Sequence, residues 1–128
     1  MSLSVTCYEL NTPFVPRLLY VSLSLFSASF SFSALVDSGA SVNLIHTSLV
    51  SRLDLSVTPC DGPQATLADG TTLLPCSGYV SLSYTLAGRT LQDTFFVAPI
   101  GAQSAIFGMP FLERENPVID WTAKSFQL

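Results

Sequence analysis

Charge is scarce in this chain. Of its 128 residues only 11% are Asp, Glu, Lys or Arg, against 48% that are hydrophobic. A composition so poor in charge excludes a disordered polyelectrolyte and leaves apolar surface for a partner. Cations are rarer than anions: Arg17, Arg52, Arg89, Arg114 and Lys124 are scattered, and the net charge is −4. Direct binding of nucleic acid is therefore not expected, because the clustered Lys and Arg that neutralise phosphates are missing. Cysteine is limited to Cys7, Cys60 and Cys76, an odd number without C-x-x-C spacing or companion histidines. Neither a disulfide framework nor a zinc site follows, no metal is expected, and a reducing compartment fits best. His46 is the only histidine. With no Ser or Cys nucleophile motif beside it, it reads as a loop or packing residue and not as the base of a triad.

One stretch lacks charge altogether. Leu18 to Val36 is long enough to cross a membrane, yet six serines fall within it. Val21-Ser22-Leu23-Ser24-Leu25 and Ser27 to Ser33 alternate with period two, as half-buried strands do. The reading is two antiparallel strands meeting near Phe26 to Ser29, with no membrane span and no signal peptide. The length suits one domain, assigned to residues 18–128, preceded by an arm over residues 1–17 that holds a short alternating run at Val5 to Tyr8.

The second of these strands runs into Val36-Asp37-Ser38-Gly39-Ala40-Ser41. A buried strand that ends in a carboxylate at a Gly-bearing turn holds the acid at a fixed angle against a low-dielectric wall, with backbone N–H groups near. Asp-Ser-Gly is also a common turn tripeptide, in which Asp does no more than bond the backbone. Beyond it comes Val42-Asn43-Leu44-Ile45, and Thr47 or Ser48 is placed to cap a short helix through Leu49 to Leu53. Ala65 to Leu74 carries Asp69-Gly70 at its centre and reads as a hairpin, either an ordinary one or a mobile flap over a cleft. A second hairpin spans Tyr79 to Val97 and turns at Ala87-Gly88-Arg89. Ser104 to Phe107 is a short apolar strand. Gly108 follows, then Pro110 opens a helix to about Glu115 that Asn116-Pro117 stops. Val118 to Trp121 and Ser125 to Leu128 close the chain as strands. Many short strands, two short helices and no βαβ alternation describe an all-β, barrel-like domain.

Four motifs in this order, Leu35-Val36-Asp37-Ser38-Gly39-Ala40, Ala68-Asp69-Gly70, Ile106-Phe107-Gly108-Met109-Pro110-Phe111-Leu112 and Asn116-Pro117-Val118-Ile119-Asp120-Trp121, resemble the retropepsins of Ty3/gypsy-type LTR retroelements and their domesticated relatives. The resemblance runs from about Leu18 to the C-terminus. It implies a closed retropepsin-like β-barrel with one or two short helices, assembled as a two-fold homodimer that acts as an aspartic endopeptidase. By the same resemblance Asp37 is catalytic, Ser38 bonds across the dimer axis, and Gly39 admits the backbone to the site. Ala40, Ala68, Asp69, Gly70 and Ile106 contact substrate, with Asp69 and Gly70 at the flap tip, and Gly108 braces the catalytic turn. Ser38 stands where many retroviral enzymes have Thr, which keeps the hydroxyl and loses a methyl contact.

Physical chemistry supports a dimer independently. Hydrolysis of a peptide by water needs one carboxylate to take a proton and a second, protonated, to polarise the carbonyl. The chain contains one Asp-Ser-Gly, so the second acid must come from a second copy. Two adjacent carboxylates do not both ionise readily, so the pair keeps one shared proton in mild acid, and no cofactor is needed. The expected substrate is an extended polypeptide held as a strand, for example a Gag-Pol-like polyprotein processed in the cytoplasm, inside a virus-like particle included. Two alternatives stay open: a catalytically silent retropepsin-like dimer that serves as a binding or assembly module, and a monomeric β-barrel binding domain.

Overall fold

A computed structural model of the chain describes residues 18–25, 29–66 and 72–128. The uncharged run is two strands, β1 (Tyr20–Leu25) and β2 (Phe30–Val36), paired antiparallel from Tyr20↔Leu35 to Leu25↔Phe30. Period-two alternation explains the arrangement: Val21, Leu23 and Leu25 point inward with Phe32, Ala34 and Val36, while Ser22, Ser31 and Ser33 face out. The second hairpin is β7 (Gly78–Leu86) and β8 (Arg89–Ala98). Ala87 and Gly88 both take positive φ (51° and 78°), as a two-residue primed turn requires, and Leu86 pairs with Arg89 across it.

Between these hairpins run β3 (Leu44–His46) and β9 (Ala105–Phe107). β9 pairs parallel with β2 and antiparallel with β3, and β3 pairs parallel with β8. The order β1-β2-β9-β3-β8-β7, joined back through Ser24↔Thr85, closes a six-stranded barrel, with β4 (Thr58–Pro59) added outside β7. Closure leaves the barrel proper without free edges. A separate antiparallel hairpin, β5 (Gln64–Thr66) with β6 (Thr72–Pro75), flanks residues 67–71. β10 (Val118–Asp120) and β11 (Ser125–Gln127) pair antiparallel near the C-terminus.

Two short helices complete the fold. In α1 (Thr47–Arg52), Leu49 and Val50 are buried. The cap expected at Thr47 or Ser48 is instead His46, whose Nδ1 accepts the Ser48 N–H at 3.0 Å. An unprotonated imidazole nitrogen offers the same lone pair to the second helical amide as a Ser or Asp oxygen does. α2 (Met109–Glu115) has Pro110 in its first turn, where no amide donor is needed, and ends at Asn116 in the left-handed region (φ 43°). Among the described residues no helix is long and apolar enough to cross a membrane.

The barrel interior is aromatic at the end near α2. Phe107 stacks on Phe111 with centroids 3.9 Å apart and touches Tyr84 and Phe95 at 5.6 and 5.5 Å. A smaller cluster of Leu35, Leu44, Cys76, Ala98, Ile100 and Ile106, with Ala40 and Val42 packed against it, lies apart from this core.

Candidate active site

Asp37 is the first residue past β2, and its backbone is fully engaged. Its N–H donates to the Phe107 carbonyl at 2.9 Å, and its carbonyl accepts the Ala40 N–H at 3.1 Å. The side chain turns back on the same loop, with one carboxylate oxygen accepting the Gly39 N–H at 2.8 Å. Asp37 is only 7% exposed. The carboxylate is therefore held at the end of a buried strand by its own turn, as the spacing of Val36-Asp37-Ser38-Gly39 predicts.

The loop from Asp37 to Asn43 leaves β2, crosses over the end of β9 and descends as β3 on its other side. It straddles the chain at Gly108. Met109 N–H donates to the Ala40 carbonyl at 2.9 Å, and Gly108 N–H donates to the Asn43 side-chain oxygen at 2.9 Å. A side chain does not fit at Gly108, where a Cβ would lie 2.6 Å from the Ala40 carbonyl oxygen. The brace expected of Gly108 is thus visible as a close backbone crossing.

Ser38 differs from its neighbours. Its hydroxyl oxygen is buried and has no hydrogen-bond partner among the described residues. A buried hydroxyl left so costs roughly 1–3 kcal/mol until something bonds it.

The structure brings together five of the residues predicted from sequence. Asp37, Ser38, Gly39 and Ala40 form one turn, and Ile106 lies in the strand beneath it, paired with Leu35 and packed in the cluster that Ala40 covers. Ala68, Asp69 and Gly70 lie outside the described residues; the strands flanking them, β5 and β6, form the expected hairpin.

Sequence reasoning missed two buried polar groups. Asn43, 2% exposed, has no role assigned from the sequence. Its signal was a lone amide opening the sequence Leu44-Ile45. Asp93, 7% exposed, falls between Leu91 and Phe95 on the inward side of β8, and a charge at such a position requires a partner. Arg114 on α2 supplies it with a two-pronged ion pair, the second prong at 2.9 Å, and the Tyr84 hydroxyl donates to the same carboxylate. Burial, then the hydrogen bond to Asp93, pushes the Tyr84 phenol well above its ordinary range, and the bond to Asp93 raises the Arg114 guanidinium further above its own. Asp93 is thereby committed to the core. Burial, followed by the proximity of Cys60, also pushes the Cys76 thiol up, away from the thiolate a nucleophile needs.

A family model described as the PEG10/RTL1 protease domain matches residues 33–128. The chain belongs to this family. The match begins within β2 and includes the Asp37 turn, the Gly108 crossing and the C-terminal hairpin. No curated protein sequence matches the chain. Among solved structures, it is similar to the retroviral protease-like domain of Ddi1 from Leishmania major. That match has 21% identity and a TM-score of 0.64, covering 91% of this chain and 88% of that one. It is also similar to the EIAV protease, solved in complex with the inhibitor HBY-793. Here identity is 17% and the TM-score 0.50, with coverage of 82% and 94%. At these identities the likeness establishes the fold, a closed retroviral protease-like barrel, and the resemblance read from the four motifs stands. As a member of the PEG10/RTL1 protease family, the chain is an aspartic protease-type domain.

Proposed function

We propose that this domain is an active aspartic endopeptidase that assembles as a two-fold homodimer and cuts extended polypeptides, its own Gag-Pol-like precursor among them. The observation that carries the reading is the turn itself: a buried carboxylate, Asp37, beside a buried hydroxyl, Ser38, that has no partner among the described residues. Asp93, the other buried acid among the described residues, is tied to Arg114 and Tyr84. The second acid of the reaction then comes from Asp37 of another copy. One Asp37 takes a proton from water while the other, protonated, polarises the scissile carbonyl. Ser38 bonds the opposite loop across the axis. Gly39 leaves room for substrate backbone, Ala40 and Ile106 supply apolar wall, and Ala68, Asp69 and Gly70 are the further substrate contacts that the resemblance implies.

The test is incubation with casein, an unstructured polypeptide, at several pH values, comparing wild type with Asp37→Asn. The amide is nearly isosteric but neither accepts the water's proton as a base nor holds the shared one. Cleavage by wild type and none by a folded Asp37→Asn chain is expected. Equal cleavage by both would remove Asp37 from the mechanism. A folded wild-type dimer that cuts nothing would leave the silent binding module as the reading.

A further inference from the structure

We infer that Asn43 is a positioning residue for Asp37, acting through the single peptide group that joins Phe107 to Gly108. The inference rests on the reading of Asp37 as the catalytic acid. That peptide group is held from both ends. Its carbonyl oxygen accepts the Asp37 N–H at 2.9 Å, and its N–H donates to the Asn43 Oδ1, also at 2.9 Å. In a trans peptide the C=O and N–H lie in one rigid plane and point in opposite directions, so fixing the N–H end fixes the direction of the carbonyl. The backbone of Asp37 hangs from that carbonyl, and the carboxylate is tied in turn to Gly39 within the same loop.

Asn43 is suited to this because it is itself held on the opposite side. Its own carbonyl accepts the Phe96 N–H at 2.9 Å, and its side-chain amide donates to the Thr94 carbonyl at 3.4 Å. Both partners lie on β8, the strand that also carries Asp93. The side chain therefore spans from β8 to the end of β9 and uses an acceptor toward one and a donor toward the other, a combination on two separate atoms that an amide supplies and an ionised carboxylate, a single hydroxyl or an alkyl group does not. The other ties at the crossing, Asp37 to Phe107 and Met109 to Ala40, are backbone to backbone and do not depend on residue type. Asn43 makes the one tie at Gly108 that a substitution removes. At 2% exposure no water replaces it without entering the barrel wall.

The experiment compares wild type, Asn43→Leu, which keeps the shape and removes both bonds, and Asn43→Asp, which keeps the acceptor toward Gly108. Two readouts are taken on the folded proteins. The first is kcat and KM on a fluorogenic peptide taken from a casein cleavage site. The second is NMR: hydrogen exchange of the Gly108 amide and the proton shift of the Gly39 amide, which reports the Asp37 carboxylate it bonds. For Asn43→Leu, kcat falls on the order of 10²-fold with KM nearly unchanged, as displacement of a catalytic group by about 1 Å produces. Its Gly108 amide exchanges faster and its Gly39 resonance moves. Asn43→Asp recovers most of kcat and returns both resonances toward wild type. A folded Asn43→Leu protein with wild-type kcat, a protected Gly108 amide and an unmoved Gly39 resonance overturns the inference. So does an Asn43→Asp protein that loses as much as the Leu variant. If Asn43→Leu does not fold, Asn43→Asp decides by the same readouts. A wild type that cuts nothing removes the protease reading, and the two amide measurements still decide whether Asn43 orients Asp37.

Discussion

Gly108 and Val42 approach so closely that a methyl group on Gly108 would overlap the Val42 carbonyl oxygen. The obstructing atom is backbone in the middle of the acid-bearing loop, so it does not swing aside as a side chain would. Gly108→Ala is expected to lower the unfolding free energy by about 3 kcal/mol or more, the upper end for overpacking, and to abolish cleavage by lifting the loop that carries Asp37. Urea denaturation followed by tryptophan fluorescence, paired with a cleavage assay, checks both. An Ala variant of wild-type stability would show that the crossing is loose.

Tyr84 gives a pH signature that has nothing to do with the active site. Its hydroxyl is buried against Asp93, and burial, then that bond, raises its proton affinity in the folded state alone. A phenol whose folded pKa is raised contributes stability that is complete below the unfolded value of about 10 and is lost as the pH climbs above it, because the unfolded chain releases its proton first. The unfolding free energy should then fall above about pH 10 with a slope approaching 1.4 kcal/mol per pH unit from this group. In Tyr84→Phe the slope is smaller, and stability near neutral pH is lower by about 1.5 kcal/mol for the lost bond to a charged acceptor. Urea midpoints at a series of alkaline pH values measure it. Identical slopes in the two proteins would exclude Tyr84 as the titrating group.

These residues mark what the sequence makes legible. The Ala87-Gly88 turn, the alternating serines of β1 and β2 and the Asp37 turn are local features, specified within a few residues by period and turn chemistry. The parallel pairings of β9 with β2 and of β3 with β8 are not local. They join segments some fifty to seventy residues apart by main-chain groups that every residue shares, so no pattern announces them. The roles of Asn43 and Asp93 depend on those pairings. Each is visible in sequence only as a polar residue among apolar ones, and its partner appears once the barrel closes. His46 was missed for a different reason: imidazole is an uncommon helix cap.

His46→Ala removes the acceptor for the Ser48 N–H and should cost about 1 kcal/mol, the usual value of an N-cap. His46→Asn restores an acceptor of similar reach and should bring the stability back to the wild-type value or above it. The comparison of three urea midpoints is the measurement. Equal stability of the Ala and Asn proteins would mean that the cap contributes nothing to the fold.

The buried hydroxyl of Ser38 turns assembly into a measurable quantity. Among the described residues of one chain it has no partner, so Ser38→Ala should leave the stability of the monomer unchanged or raise it slightly, since an unsatisfied group is removed. In the proposed dimer the same substitution is expected to delete one hydrogen bond per subunit. At about 1 kcal/mol each, the two together weaken association by about 2 kcal/mol, which is close to 30-fold in the dissociation constant. Specific activity should fall on dilution for both proteins, because dissociation separates the two Asp37 carboxylates, with the half-activity point of Ser38→Ala displaced to higher concentration by that factor. Initial rate per mole of chain across a dilution series, with sedimentation at the same concentrations, reads the two curves together. Coincident curves would show that Ser38 makes no bond across the axis, and a sedimenting monomer with undiminished specific activity would remove the shared site altogether.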